Sequence, residues 1–95
     1  MIARHLIIAG RVQGVSFRGG FVAEAHKRRL AGWVRNNQDG TVEALIQGEE
    51  EEVEALIQWC RRGPPAADVT GLTVADVGAD PTLQTFEKRI GISDS

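Results

Sequence analysis

The stretch Gly10–Arg18, GRVQGVSFR, joins a strand-like segment to a helix-like one. Residues 3–12 are rich in Ile, Leu and Val and break at glycine, which predicts a first strand. The two glycines of the stretch flank a short loop that can turn several backbone N–H groups inward, and the N-terminus of the following helix points at the same place. With the guanidinium of Arg18 closing the loop, the stretch predicts a site for a small anion.

Beyond the loop, the sequence predicts the helix that directly follows it, a second helix and four further strands. Residues 21–30 fit an amphipathic helix that we expect to close at Ala31-Gly32 and to begin as late as Phe21, because glycines 19 and 20 disfavour a helix. Beyond it, the patterns predict strands over residues 33–36, 41–47, 69–77 and 83–90 and a second helix over residues 49–62. An Asp-Gly turn joins the second and third strands, and the last strand is expected at a sheet edge.

This order of elements, β-α-β-β-α-β plus a terminal strand, is typical of a ferredoxin-like α+β sandwich. In that architecture two helices cover one face of an antiparallel sheet. We expect a single domain over residues 1–90, followed by a flexible tail over residues 91–95.

Composition and charge limit the classes of function. The chain is 42% hydrophobic and 25% charged, and no apolar run approaches the roughly 18 to 20 residues that cross a bilayer. We therefore expect no membrane partner. One cysteine, Cys60, cannot form an internal disulfide, so no oxidising compartment is implied and we expect a cytoplasmic protein. Residues 1–39 carry seven Arg or Lys against two carboxylates, and residues 40–95 carry four against eleven. A basic half that contains the predicted loop favours a small anion over a long nucleic acid.

A second motif, Gly32–Glu43 (GWVRNNQDGTVE), follows the first helix. Asn36 has the same strand parity as Val34, so its amide is expected on the helix side of a strand next to the first strand, near the Arg18 loop. Asn37 is more simply explained by the hairpin turn, where asparagine is common.

Other chemistries fit the sequence less well. No Gly-Lys-Ser/Thr follows the loop, and G-x-G-x-x-G is absent, so neither nucleotide-binding motif is present. Ser16 has no histidine in its motif to activate it, so we interpret it as a residue of the anion loop. His5 and His26 lack partners at metal-ligand spacing and are expected to be structural or solvated. Trp33 and Trp59 are expected to pack.

Taken together, the two motifs closely resemble the acylphosphatase family, and the resemblance covers residues 4–90 with eighteen positions from Arg18 to Asn36. It implies hydrolysis of acyl phosphates to carboxylate and phosphate by in-line attack of a water, without metal or cofactor. Arg18 is then the substrate-binding arginine and Asn36 the residue that orients the water. The phosphate-binding loop comprises Gln13, Gly14, Val15, Ser16, Phe17 and Arg18. The expected partners are a small-molecule acyl phosphate and phosphate or other small anions, and the chain is expected to be a monomer.

Three alternatives stay open at this point. The first is a carbamoyl-phosphate-processing module of the hydrogenase-maturation type, against which the free-standing length argues. The second is a non-catalytic anion-binding domain, since Gly19-Gly20 stands where many family members carry bulkier side chains. The third is a ferredoxin-like nucleic-acid binder, disfavoured by the charge and by the missing aromatic signature.

Overall fold

A computed structural model describes residues 1–89 of the 95-residue chain. The elements follow in the predicted order: β1 (Ile2–Arg11), α1 (Phe17–Lys27), β2 (Ala31–Asn36), β3 (Val42–Gly48), α2 (Glu50–Arg62), β4 (Asp68–Val77) and β5 (Phe86–Lys88). The predicted tail, residues 91–95, lies outside the described residues, as does residue 90.

The five strands form one sheet in the order β4-β1-β3-β2-β5. Strand β1 pairs antiparallel with β3 and β4, and β2 pairs antiparallel with β3. These pairings and the two helices confirm the ferredoxin-like α+β architecture. Strand β5 lies at the predicted edge but pairs parallel with β2, so the whole sheet is mixed rather than purely antiparallel.

The segment between β4 and β5 has to cross from one edge of the sheet to the other. Gln47, at the end of β3 and 2% exposed, fixes this crossing. Its side-chain amide donates a hydrogen bond to the carbonyl oxygen of Asp80 at 2.9 Å and accepts one from the Asp80 N–H at 2.6 Å. The reciprocal pair satisfies a buried amide and guides the chain into β5.

The core lies between the sheet and the two helices. Alternate residues of the central strands, such as Leu6, Ile8, Ala44 and Ile46, are fully buried on one face of the sheet. Helix α2 adds four side chains spaced i, i+3, i+4 and i+7, all at most 3% exposed: Val53, Leu56, Ile57 and Cys60. Neither helix is long and apolar enough to span a bilayer within residues 1–89.

Helix α1 begins at Phe17, so the prediction of a late start at Phe21 was wrong. Gly20 explains the difference, because a β-carbon at this position would lie 2.9 Å from Cζ2 of Trp59 on α2. The Trp59 ring packs against Phe17 and Phe21, with ring centroids 5.3 and 6.1 Å apart. The contact between the helices therefore requires glycine at this position. It outweighs the cost of glycine in a helix, which is about 1 kcal/mol relative to alanine.

The end of α1 also differs from the prediction. The helix ends at Lys27, and Arg29 adopts a left-handed conformation with φ 56°. The N–H of Arg29 bonds to the carbonyl of His26 at 3.1 Å, and that of Leu30 to the carbonyl of Ala25 at 2.9 Å. This pattern is a Schellman motif with arginine in the position that glycine usually occupies, so Ala31 and Gly32 belong to β2 and do not close the helix.

Candidate functional site

Strand β1 delivers the chain to the anion loop through a kink at Gly10. The pairing of β1 with β4 shifts register between Ala9 and Gly10, and Gly10 has φ 119°. A β-carbon there would collide with the carbonyl oxygen of Asp68 on the neighbouring strand. Only glycine allows both this backbone conformation and the close approach of β4.

The loop itself ends in a concave run of backbone N–H groups. Gly14 and Ser16 both have positive φ, 74° and 63°, and Ser16 immediately precedes the helical Phe17. A left-handed residue followed by a right-handed one turns successive N–H groups toward a common point, which is the geometry of an anion nest. Within α1 the N–H of Gly20 bonds to the Ser16 carbonyl at 3.0 Å. The N–H groups of a helix's first turn point toward its N-terminus, where anions are bound favourably.

Asn36 lies at the last position of β2, on the face that carries the helices. The side chains of Val34 and Asn36 point to this face, and Asn36 is 7% exposed. Its register partner is Val42 at the start of β3. Asn36 therefore lies on the side of the sheet that strand parity predicted, but the expectation that its strand is next to the first strand was wrong, because β3 lies between β1 and β2.

A single cavity of about 230 Å³ brings the two motifs together. Its walls include five of the residues predicted for the site: Gly14, Ser16, Phe17, Arg18 and Asn36. Val12, Gly19 and Lys88 complete the lining. Two cations and no carboxylate are therefore present among the described residues that line this cavity, which suits an anionic ligand.

Two predicted loop residues use their side chains elsewhere. The Gln13 amide donates hydrogen bonds to the carbonyl oxygens of Asn37 and Thr41, at 2.8 and 2.9 Å, in the hairpin between β2 and β3. Val15 is half-buried and packs against the core. Phe17 lines the cavity, but its ring is 1% exposed and packs on Trp59. Any contribution of Gln13 and Val15 to anion binding would thus come from the backbone.

Lys88 was missed by the sequence analysis. It is the last residue of β5, is exposed, and lines the same cavity as Arg18 and Asn36. A signal was available, because Lys88 has the same strand parity as the buried Phe86. A charged residue at the inward parity of an edge strand, at its last position, fits either protection of the sheet edge or a site beside the end of the strand.

The other reactive side chains lie outside the cavity and have structural contacts. His5 Nε2 lies 2.7 Å from a carboxylate oxygen of Glu43, and His26 Nε2 donates to the carbonyl of Phe86 at 2.9 Å. Cys60 is fully buried in the core, and this burial raises the pKa of its thiol. No cluster of three or more His, Cys, Asp or Glu suited to a metal ion occurs in residues 1–89.

Comparison with known proteins shows one family. The family described as Acylphosphatase matches residues 4–88. The chain is 57% identical over 83 residues to an acylphosphatase of Acidiphilium cryptum, covering 85% of this chain and 91% of that protein. The crystal structure of acylphosphatase from Bacillus subtilis superposes with a TM-score of 0.90 at 37% identity, over 94% of this chain and 99% of that one. A crystal structure of full-length HypF in the phosphate- and nucleotide-bound form superposes with a TM-score of 0.85 at 29% identity, over 97% of this chain and 12% of that one.

Proposed function

This chain belongs to the acylphosphatase family, and we propose that Arg18 and the N–H groups of residues 13–18 bind the substrate's phosphoryl group while Asn36 orients the attacking water. The activity that the two motifs predicted is confirmed: the protein is an acylphosphatase, a hydrolase that cleaves the carboxyl–phosphate bond of acyl phosphates. The roles of individual residues are the proposed part.

The chemistry explains why so few side chains suffice. An acyl phosphate releases a carboxylate, which is stable as an anion at neutral pH because carboxyl groups have pKa values near 4. The enzyme therefore needs no general acid for the leaving group. It has to bind the phosphoryl oxygens, neutralise their charge and hold a water in line with the breaking bond.

The observation that carries the proposal is the shared cavity. Arg18 and Asn36 are eighteen positions apart in the sequence and on different elements, yet both line one space of about 230 Å³. The nest at Ser16 and the first turn of α1 face the same anion site in this scheme, and Arg18 adds a planar set of donors. Asn36 lines the cavity from the end of β2, which β3 separates from β1 in the sheet, and so from a different element than Arg18. A group that orients the attacking water in an in-line reaction has to lie apart from the groups that bind the phosphoryl oxygens.

The test is hydrolysis of benzoyl phosphate in the presence of a chelator, with two variants of the site. Asn36→Ala should lower kcat by roughly a hundredfold, as expected when one positioned transition-state donor is deleted. Arg18→Ala should raise KM and lower kcat together, because it removes charge neutralisation in both the ground and the transition state. Arg62→Ala and Gln38→Ala, which remove exposed side chains outside the cavity, serve as matched controls.

Full activity of Asn36→Ala would contradict the proposed role of Asn36. A wild-type KM in Arg18→Ala would contradict the proposed role of Arg18. Loss of wild-type activity on adding the chelator would contradict the proposed metal-free reaction. A wild type that binds phosphate but leaves benzoyl phosphate intact would favour the non-catalytic alternative. Turnover of carbamoyl phosphate alone would favour the carbamoyl-phosphate-processing alternative.

We also propose that the enzyme acts as a cytoplasmic monomer on small acyl phosphates and binds no nucleic acid. The charge distribution supports the small anionic substrate over a nucleic acid, because the basic half of the chain supplies most of the lining of a compact cavity. Sedimentation at the concentrations of the assay tests the monomer, and a dimer would contradict it.

A further inference from the structure

We propose that Lys88 is a second phosphate-binding cation of this site, whose ammonium contacts the phosphoryl group together with Arg18. The inference rests on the proposed function of the cavity and adds a residue to it. It follows from where β5 ends, from which way Lys88 points, and from which charges are already paired.

The first step is topological. Strands β1 and β2 both run antiparallel to β3, so they are parallel to each other, and β5 is parallel to β2. The C-terminal ends of these three strands therefore lie at the same end of the sheet. The anion loop follows β1, Asn36 ends β2 and Lys88 ends β5, so all three reach the cavity from that end.

The second step is orientation. Phe86 is 5% exposed and stacks on Phe21 of α1 with ring centroids 5.5 Å apart, so its side chain points to the helix layer. Lys88 is two residues later and points to the same side. The backbone on both sides of Lys88 is held by β2: Lys88 is in register with Val34, and the N–H of Arg89 bonds to the Val34 carbonyl at 2.8 Å.

The third step concerns charge. The neighbours of Lys88 on the opposite face, Glu87 and Arg89, pair with each other at 2.9 Å. Among the described residues, none of the ion pairs involves Lys88, and no carboxylate lines its cavity. A phosphoryl group carries a negative charge that approaches two units at neutral pH. This is more than the single positive charge of Arg18 neutralises. An ammonium on a flexible stem is suited to supply the second charge.

The test compares Lys88→Met with Lys27→Met, which removes the only other lysine of the chain, an exposed residue at the end of α1 and outside the cavity. The two variants have the same net charge. Inorganic phosphate is used as a competitive inhibitor of benzoyl phosphate hydrolysis, and KM and kcat are measured at low and high salt. Thermal unfolding of both variants verifies the fold.

We expect Lys88→Met to raise the inhibition constant of phosphate and the KM by about threefold to tenfold at low salt, with a smaller effect at high salt because exposed charges are screened. Lys88→Arg should retain most of the affinity, and Lys27→Met should match the wild type. The inference is overturned if Lys88→Met equals Lys27→Met, or if its loss does not depend on salt.

Arg18→Ala, measured in parallel, separates this inference from the proposed function. If Arg18→Ala loses phosphate affinity while Lys88→Met keeps it, the cavity binds phosphate and Lys88 has no part in it. If Arg18→Ala also keeps phosphate affinity, the proposed function of the cavity fails first.

Discussion

Gln13 donates a side-chain hydrogen bond to the carbonyl oxygen of Asn37 at 2.8 Å, and so joins the anion loop to the residue directly after Asn36. The same amide group donates to the carbonyl of Thr41 at 2.9 Å, on the other side of the hairpin turn. The turn is closed in addition by hydrogen bonds of the Asn37 N–H to Thr41 and of the Gly40 N–H to Asn37. One side chain therefore sets the distance between the two halves of the site.

Replacing Gln13 by alanine should lower kcat without removing any side chain proposed to touch substrate, since the backbone N–H of residue 13 stays in place. A displacement of about 1 Å between Arg18 and Asn36 is expected to cost tenfold to a hundredfold in rate. Phosphate inhibition should change less, because the loop and Arg18 stay in place. Steady-state kinetics on benzoyl phosphate measure both, with Gln38→Ala, an exposed amide in the same turn, as the control. A correctly folded Gln13→Ala enzyme with wild-type kcat would contradict this role.

The sequence was sufficient to predict the order of elements, the glycine-containing loop between β1 and α1 and the side of the sheet on which Asn36 lies. These features depend on local chemistry: glycine at positive φ, alternation along a strand and the Asp-Gly turn. The direction of the Gln13 side chain and the position of Lys88 depend on contacts between segments that are distant in the chain. Parity within β5 indicates the face on which Lys88 lies, but no pattern within one segment indicates which strand ends it lies beside or which carbonyl groups the Gln13 amide binds.

Glycines 19 and 20 show the same limit at the start of α1. Both are poor helix formers, yet the helix runs through them because Trp59 occupies the space beside Gly20. The sequence indicated the helix propensity of each residue but not the ring from the other helix. Because Gly20 lies against Trp59 and Gly19 does not, substitutions at the two glycines form a matched pair.

We predict opposite effects of Gly19→Ala and Gly20→Ala on stability. A β-carbon at position 19 meets no atom within 4 Å, so alanine should raise the free energy of unfolding by up to about 1 kcal/mol. At position 20 it would lie 2.9 Å from the Trp59 ring, and overpacking of this kind costs about 1 to 3 kcal/mol. Urea unfolding followed by far-UV circular dichroism measures both. Equal stability of the two variants would mean that Trp59 shifts without cost.

Arg29 offers a site for stabilisation. It occupies the left-handed position of the Schellman motif, with φ 56°, where a residue with a β-carbon is strained. Arg29→Gly should therefore raise the free energy of unfolding by about 1 kcal/mol. Lys27→Gly, two positions earlier and inside the helix, should lower it by about the same amount. Denaturant unfolding of the two variants provides the comparison, and a loss of stability in Arg29→Gly would contradict the strain argument.

We predict that Glu43, on the face of the sheet opposite the helices, stabilises the fold in a way that acid removes. Burial alone would raise the pKa of its carboxyl, but hydrogen bonds from His5, Arg35 and Asn37 and the charge of Arg35 outweigh burial and hold the pKa below its ordinary value of 4.5. The distances are 2.7 Å to His5 Nε2 and 2.9 Å to Arg35. A carboxylate with a lowered pKa in the folded state stabilises the fold above its ordinary pKa and loses this effect as the pH falls below it.

Glu43→Gln should accordingly lower the free energy of unfolding at pH 7 by about 1.5 to 3 kcal/mol, the range for hydrogen bonds to charged groups. The difference from the wild type should shrink as the pH falls from about 4.5 toward the lowered pKa of the folded state, because the wild-type carboxyl is then protonated as well. Urea unfolding at a series of pH values measures the difference directly. Glu54→Gln, at an exposed position of α2, should show no such dependence. A gap between wild type and Glu43→Gln that stays constant down to pH values well below 4.5 would mean that packing, not the charge of Glu43, stabilises this face.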